Sequence, residues 1–320
     1  MATATQVKLL LQSHGSGDEE RFFAIALQVA ATEARLGHNV LANEIREIID
    51  KSRRAKRGNA PIKFPQELAG MMLLEQPNVP LSALVISEQL RERIERIIQE
   101  HREQTRLKSH GLSNRRKILL SGPPGTGKTT TARVLSHELR LPLYTIQVDK
   151  LMTRFLGETS AKLRQIFDRI RDEPGVYLFD EFDAIGGDRS LDNDIGEIRR
   201  VLNALLQFIE QDVSDSIIIG ATNNPRLLDR ALFRRFDDVL AFTLPDSEAR
   251  MKLIENVLGG FKAEQIDWST ILKNSEALSH AEIDYACRDA VKLSILAHQK
   301  MVDTVTLNKM LHERNLIHQR

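Results

Sequence analysis

Cysteine is nearly absent from this chain of 320 residues, because Cys287 stands alone and no disulfide can form within the chain. No spacing of cysteine and histidine suggests a zinc site either, and the simplest interpretation of Cys287 is a small buried apolar residue. The net charge is also small, since 45 lysines and arginines are balanced by 44 acidic residues, which leaves +1. So small a charge excludes a general electrostatic attraction to nucleic acid or to a membrane surface.

Long apolar segments are missing as well. No run approaches the roughly 20 residues that a membrane span requires, and the first residues lack the basic start and apolar stretch of a secretory signal. We therefore expect a cytoplasmic protein without membrane contact. The length and a hydrophobic content of 42% suit a globular chain of two or three domains.

What the chain does contain is a phosphate-binding loop, Gly122–Thr129, with the pattern Gly-x-x-x-x-Gly-Lys-Thr between a strand-like and a helix-like segment. Its glycines let successive N–H groups point at phosphate oxygens, and the helix N-terminus adds partial positive charge. Lys128 can reach the terminal phosphates, and the Thr129 hydroxyl can bind Mg²⁺. The loop predicts that the chain binds a nucleoside triphosphate through Gly122, Pro123, Pro124, Gly125, Thr126, Gly127, Lys128, Thr129 and Thr130.

A second motif lies about fifty residues further on. Val176–Phe179 is a short apolar run that ends in two acids, Asp180 and Glu181, as expected of a buried strand that brings carboxylates to the edge of a sheet. Asp180 is suited to the Mg²⁺ shell, and Glu181 can polarise a water in line with the γ-phosphate. Without the phosphate loop, a solvated acidic turn after a core strand would be the preferred interpretation.

Strand and helix patterns alternate through the middle of the chain, which predicts an α/β fold with a parallel five-stranded sheet covered by helices on both faces. We expect a helical domain at 1–57, a linker at 58–83, the nucleotide-binding core at 84–245 and a helical segment at 246–320. Ser279–Glu282 has a capping-box pattern before the helix Ile283–Leu296. The predicted strands are Lys117–Leu120, Leu143–Val148, Val176–Phe179, Ser216–Ala221 and Asp238–Leu244.

From Gly122 to Phe236 the order of motifs resembles that of the AAA ATPases, the branch with spastin, katanin and FtsH, and the resemblance covers about residues 84–300. It implies an αβα core with a C-terminal helical lid, ATP as the nucleotide, Mg²⁺-dependent hydrolysis, a ring that is commonly a hexamer, and a polypeptide substrate.

Three further stretches take their roles from this resemblance. Asn223 looks like the sensor that positions the attacking water or the γ-phosphate, and Arg234 and Arg235 look like arginine fingers that enter a neighbouring subunit's site. Phe155 looks like the aromatic residue of a pore loop that grips an extended chain. Each also has a simpler interpretation, namely a turn after a strand, surface charge and a core residue.

The sequence departs from the family pattern in two places. No Pro-Gly insertion occurs between Leu232 and Asp237, which leaves open which arginine is the main finger. Ser279–Glu282 occupies the region where relatives carry a small-residue motif near the nucleotide; the capping box accounts for it, and His280 is not predicted to be a ligand.

The N-terminal helical domain, together with His110-Gly111-Leu112, is similar to short bacterial AAA ATPases encoded beside a subtilisin-like protease, some of them linked to phage defence. The resemblance implies that residues 1–57 recruit a partner.

Two alternative functions remain. One is an ATPase that acts on nucleic acid, such as a helicase loader, for which the basic stretch Lys51–Arg57 is the only support, since such a run is more often a solvated connector. The other is a nucleotide-gated binding module that regulates a partner enzyme.

Overall fold

The computed structural model describes residues 8, 19–35, 38, 45, 70–151, 156–181, 194–224 and 233–318. The chain divides into two compact units, Met1–Phe64 and Pro65–Arg320. Helix α1, Glu19–Arg35, belongs to the first unit, and its buried apolar residues recur at helical spacing, as in an amphipathic helix. It lies in the segment 1–57 that was predicted to be helical, whereas the basic stretch Lys51–Arg57 lies outside the described residues.

A six-stranded sheet forms the centre of the second unit, in the order β1-β3-β4-β5-β2-β6. Strand β1 is antiparallel to β3, and the other neighbours are parallel, which confirms the predicted parallel sheet and adds one antiparallel edge strand. That extra strand lies in the segment predicted to be a linker. The strands are β1 Met72–Glu75, β2 Lys117–Ser121, β3 Leu143–Ile146, β4 Val176–Phe179, β5 Ile217–Thr222 and β6 Asp238–Ala241.

Helices lie between most of the consecutive strands, and among the described elements only helices follow β6. The predicted ends of two strands were wrong: Val148 begins a helix instead of ending β3, and β6 ends at Ala241 instead of Leu244. None of the described helices is long and apolar enough to cross a membrane. The helices are α2 Glu88–Arg102, α3 Gln104–Ser109, α4 Lys128–Leu139, α5 Val148–Leu151, α6 Leu156–Asp172, α7 Asp194–Gln211, α8 Ser247–Leu258, α9 Trp268–Asn274, α10 His280–Leu296 and α11 Thr304–His318.

Two apolar clusters hold the second unit together. In the first, the buried face of α2, with Ile94 and Ile97, packs with α4 and with the fully buried strands β2 and β5. In the second, α8 to α11 pack around residues such as Ile283 and Cys287. Burial raises the pKa of the Cys287 thiol to about 12, so the thiol stays protonated. The prediction that Cys287 is a small buried apolar residue is confirmed.

Candidate active site

The phosphate loop connects the buried end of β2 to the beginning of α4. At Gly122 an added Cβ would lie 2.2 Å from the carbonyl oxygen of Phe242, so no other residue fits without a backbone shift. Gly127 is the N-cap of α4 with φ +100°, a conformation that glycine adopts without strain. The loop therefore needs glycine at these positions, and it ends at a helix N-terminus, where N–H groups favour a bound anion.

The loop also holds its lysine. Lys128 is 6% exposed, and its Nζ donates hydrogen bonds of 2.8 Å to the carbonyl oxygens of Gly122 and Pro123. The Thr126 hydroxyl donates to the same Pro123 carbonyl at 2.7 Å. The ammonium group consequently lies over the loop whose N–H groups would bind phosphate, where a positive charge can contact the same phosphates.

The two residues assigned to Mg²⁺ are in direct contact. Thr129 Oγ1 donates to Asp180 Oδ2 at 2.9 Å, because β4 delivers Asp180 to the same edge of the sheet as the loop. Mg²⁺ is commonly held by one or two protein oxygens together with substrate phosphates and waters. Within the described ranges, no group of three His, Cys, Asp or Glu residues could hold a metal ion. Thr129 and Asp180 therefore fit a Mg²⁺ site in which the nucleotide phosphates would complete the coordination shell.

Glu181 and Asn223 lie at this edge as well. Glu181 follows Asp180 in a left-handed conformation, φ +52°, with its N–H donating to Asp180 Oδ1 at 3.0 Å. Asn223 follows Thr222, which is paired in register with Ser121, the residue before the phosphate loop. Both are exposed. A non-glycine residue with positive φ is uncommon and is often found at functional sites.

The arginines lie at the opposite end of the parallel strands from the phosphate loop. Arg235 Nε is 3.5 Å from Glu210 Oε2, and the backbone carbonyl of Glu210 accepts from Lys117 Nζ at the beginning of β2. The phosphate loop begins at the other end of β2, which spans about 13 Å over its five residues. Arg234, next in the chain, is exposed. The structure therefore does not bring the two arginines to the phosphate loop of their own chain.

Sequence reasoning missed the contact between the C-terminal helices and the loop. The N–H of Ala281 donates to the carbonyl oxygen of Gly125 at 3.0 Å, and a Cβ added at Gly125 would lie 2.5 Å from Ser279 Oγ. The predicted capping box is confirmed, since Ser279 and Glu282 bond each other's N–H groups at the beginning of α10. That pattern marked the beginning of the helix but carried no information about what it packs against.

A pocket adjoins the loop beside this contact. Ile86 and Leu90 form part of its apolar lining, and Thr126 and His280 line it too, around about 400 Å³ of space that includes its opening to solvent. Both ring nitrogens of His280 are buried. Burial lowers the pKa of His280, and a hydrogen bond with the backbone of Val85 and the charge of Asp246 act in the opposite direction.

The remaining predicted site residue, Phe155, lies outside the described residues, as do the first residues of the arginine-finger stretch.

Comparisons with known proteins agree on one family. The family model "ATPase family associated with various cellular activities (AAA)" matches residues 118–244. An AAA family ATPase of Sinorhizobium fredii, y4kL, is 34% identical over 321 residues, which cover 98% of this chain and 96% of that protein. A proteasome-activating nucleotidase of Methanosphaerula palustris is 28% identical over 251 residues, 76% of this chain but 61% of that protein.

The solved structure of the FIGL-1 AAA domain has the same fold. Its TM-score is 0.61 at 21% identity, and the match covers 79% of this chain and 91% of that chain.

Proposed function

The chain belongs to the AAA family of ATPases, and we propose that it forms a hexameric ring that uses ATP hydrolysis to remodel or translocate a polypeptide. Nucleotide binding and ATP hydrolysis are the activities of this family. The chemistry of the site agrees with them, because the phosphate loop, Lys128, Asp180 and Glu181 lie together at one edge of the sheet. In phosphoryl transfer the protein mainly positions groups and stabilises charge, and this arrangement supplies groups for both tasks.

The roles within the site are part of the proposal. Lys128 holds the terminal phosphates, Thr129 and Asp180 bind Mg²⁺, Glu181 orients the attacking water, and Asn223 contacts that water or the γ-phosphate. Bound Mg²⁺ would neutralise phosphate charge during transfer. The short distance between Thr129 and Asp180 supports the metal assignment, since 2.9 Å already joins two oxygens that one ion could share.

The position of the arginines carries the proposal of a ring. Arg235 pairs with Glu210 near the beginning of β2, and the phosphate loop lies beyond the end of that strand. A guanidinium stays charged and stabilises developing negative charge on a phosphoryl group, but only where it can reach that group. An arginine finger from this segment would therefore have to serve another subunit, and repeated head-to-tail contacts of this kind form a ring where the rotation between subunits closes.

Mixing two inactive variants tests this arrangement. Glu181→Gln keeps the arginines, and Arg234→Ala/Arg235→Ala keeps the rest of the site, so we expect each alone to hydrolyse little ATP. In an equimolar mixture about a quarter of the interfaces would combine an intact site with an intact arginine pair, and phosphate release should return in part. ATPase activity per subunit of the unmodified protein should also rise with its concentration.

The matched control is a mixture of Lys128→Ala and Glu181→Gln subunits. Both changes affect the same site, so no interface between these subunits is complete and the mixture should stay inactive. If the arginine variant gains nothing from Glu181→Gln subunits, and activity does not depend on concentration, the arginines do not act between subunits and the ring proposal fails.

A polypeptide substrate is proposed on two grounds. The relative from Methanosphaerula palustris is named a proteasome-activating nucleotidase, and Phe155 occupies the sequence position of an aromatic pore loop. An aromatic side chain grips a passing chain by apolar contact of low specificity. We expect Phe155→Ala to abolish ATP-dependent unfolding of a tagged model protein while basal ATP hydrolysis stays near the unmodified level. Loss of both together with a lower melting temperature would instead identify Phe155 as a core residue.

The partner and the pathway rest on sequence resemblance alone. We propose that residues 1–57 recruit a subtilisin-like protease, that the pair acts in bacterial defence against phage, and that the protein works in the cytoplasm. Co-purification from the native host with full-length protein tests the partner, and recovery of no protease would contradict it.

A further inference from the structure

The two adjacent arginines of the proposed finger segment have different surroundings. Arg234 is exposed, and none of the ion pairs among the described residues includes it. The side chain of Arg235 is 32% exposed, and its Nε lies 3.5 Å from Oε2 of Glu210 on α7. The sequence left the two arginines as equal candidates for the finger, whereas the structure pairs one of them with a carboxylate of its own subunit.

The end of α7, which carries Glu210, is attached to the beginning of β2. The carbonyl oxygen of Glu210 accepts a hydrogen bond of 2.9 Å from Lys117 Nζ. Two residues further on, the buried carboxylate of Asp212 pairs with the guanidinium of Arg116. The backbone that carries the Glu210 side chain is therefore held in place beside β2.

The chain that follows the arginines is attached to the same strand. Asp237 Oδ2 accepts from the N–H groups of Arg116 and Lys117 at 2.9 Å each, and the N–H of Asp237 donates to the Lys117 carbonyl at 2.8 Å. Phe236 is buried against β5, where a Cβ added to Gly220 would lie 3.3 Å from its ring. Both members of the ion pair thus extend from backbone that is fixed to the centre of the sheet.

We propose that Glu210 is a positioning residue that keeps Arg235 within its own subunit, so that Arg234 alone is the arginine finger for the neighbouring subunit. A guanidinium stabilises the negative charge that develops on a transferred phosphoryl group, but a carboxylate beside the guanidinium offsets that charge. An exposed ion pair adds little to the stability of a fold, so the contribution of Glu210 is to orientation. The inference rests on the proposed function, because a finger between subunits requires the proposed ring.

Mixed assemblies of the full chain test the two arginines separately. Acceptor subunits carry Arg234→Ala/Arg235→Ala and keep an intact site, whereas donor subunits carry Glu181→Gln, with or without a further change at one arginine. Every active site then belongs to an acceptor, and phosphate release is measured against ATP concentration at equal subunit ratios. We expect Arg234→Ala in the donor to lower kcat at least about 100-fold, and Arg235→Ala to lower it less than about tenfold, both at unchanged KM for ATP.

A charge exchange in the donor is the matched control. Arg235→Glu places a second carboxylate beside Glu210 and should lower kcat more than Arg235→Ala does. Arg235→Glu/Glu210→Arg restores an ion pair of opposite direction and should return kcat to that of the donor with both arginines intact. A guanidinium moved to α7 does not replace a finger at position 235, so this recovery separates positioning from direct action on the phosphoryl group.

Equal losses for Arg234→Ala and Arg235→Ala, without recovery by the exchange, would assign both arginines to the neighbouring site and overturn the inference while the ring stands. An unchanged kcat for Arg235→Glu would also overturn it, because the ion pair would then have no role. Size-exclusion chromatography checks that each donor enters the mixed assembly, and exclusion of the Arg235 variants alone would assign the pair to assembly instead. If the donor with both arginines intact yields no activity, the proposed ring itself fails.

Discussion

At the scale of single residues, the site depends on a carboxylate in an unusual backbone conformation. Glu181 has φ +52° and is exposed, whereas its neighbour Asp180 bonds Thr129 and the N–H of Glu181 itself. The two acids thus point to different tasks, one in the metal shell and one beyond it. A left-handed non-glycine residue costs of order 1–3 kcal/mol, which suits a position selected for chemistry.

We expect Glu181→Gln to bind ATP with near-normal affinity but to release phosphate at least about 100-fold more slowly, since a general base typically contributes that much or more. Lys128→Ala should lose affinity as well, because its ammonium lies over the loop that we propose binds the phosphates. Calorimetric ATP affinity and phosphate release, measured on both variants, check this. Glu92→Gln, an exposed acid on α2, is the control and should change neither quantity. Near-normal turnover by Glu181→Gln would remove it from the site.

At the scale of elements, the first turn of α10 joins the C-terminal helices to the phosphate loop. The N–H of Ala281 donates to Gly125, and the capping box between Ser279 and Glu282 fixes the turn that carries this donor. The loop and the C-terminal helices are therefore in close contact at this point.

Ser279→Ala should lower the free energy of unfolding by about 1 kcal/mol through loss of the cap. It should also weaken ADP binding, because α10 begins against the phosphate loop. Asp303→Ala is the matched control, since Asp303 accepts from the N–H of Thr306 at the beginning of α11, outside the pocket lining. Thermal melts and ADP titrations of both variants decide the matter. If Ser279→Ala and Asp303→Ala change the affinity for ADP by the same amount, the contact between α10 and the loop does not matter for binding.

At the scale of the whole molecule, the chain consists of two compact units, and every described residue assigned to phosphate chemistry lies in the second, Pro65–Arg320. The first unit contains the amphipathic helix α1, with Ile25, Ala26, Val29 and Ala30 buried on one face. The division predicts that nucleotide hydrolysis and partner recruitment can be separated.

A fragment comprising residues 65–320 should retain ATP hydrolysis and lose recruitment of a partner. Phosphate release is compared at equal subunit concentration with that of the full chain, and the Glu181→Gln form of the fragment gives the background. Pull-downs from the native host with both forms test recruitment. An inactive but folded fragment would mean that the first unit is needed for assembly, and equal recovery of the same partner would place the docking surface on the second unit.

Local sequence determined the phosphate loop, the acid-terminated strand β4, the parallel sheet and the beginning of α10. Each depends on a few neighbouring residues: glycines where φ is positive or the backbone passes closely, an apolar run that becomes a buried strand, and a serine three residues before a glutamate. Such patterns are readable because the physical constraint acts within one turn or one strand.

Only the tertiary structure decided the remaining features. Met72–Glu75 becomes a strand because β3, about seventy residues later, supplies its hydrogen-bond partners, and four residues have little strand preference of their own. The arginines lie away from the loop because β6 runs parallel to β2. His280 shares a pocket lining with residues of α2, α8 and the phosphate loop because these distant segments pack together there. These outcomes come from contacts between residues that are distant in sequence. A local sequence pattern cannot predict them, because it carries no information about which distant residues will pack together.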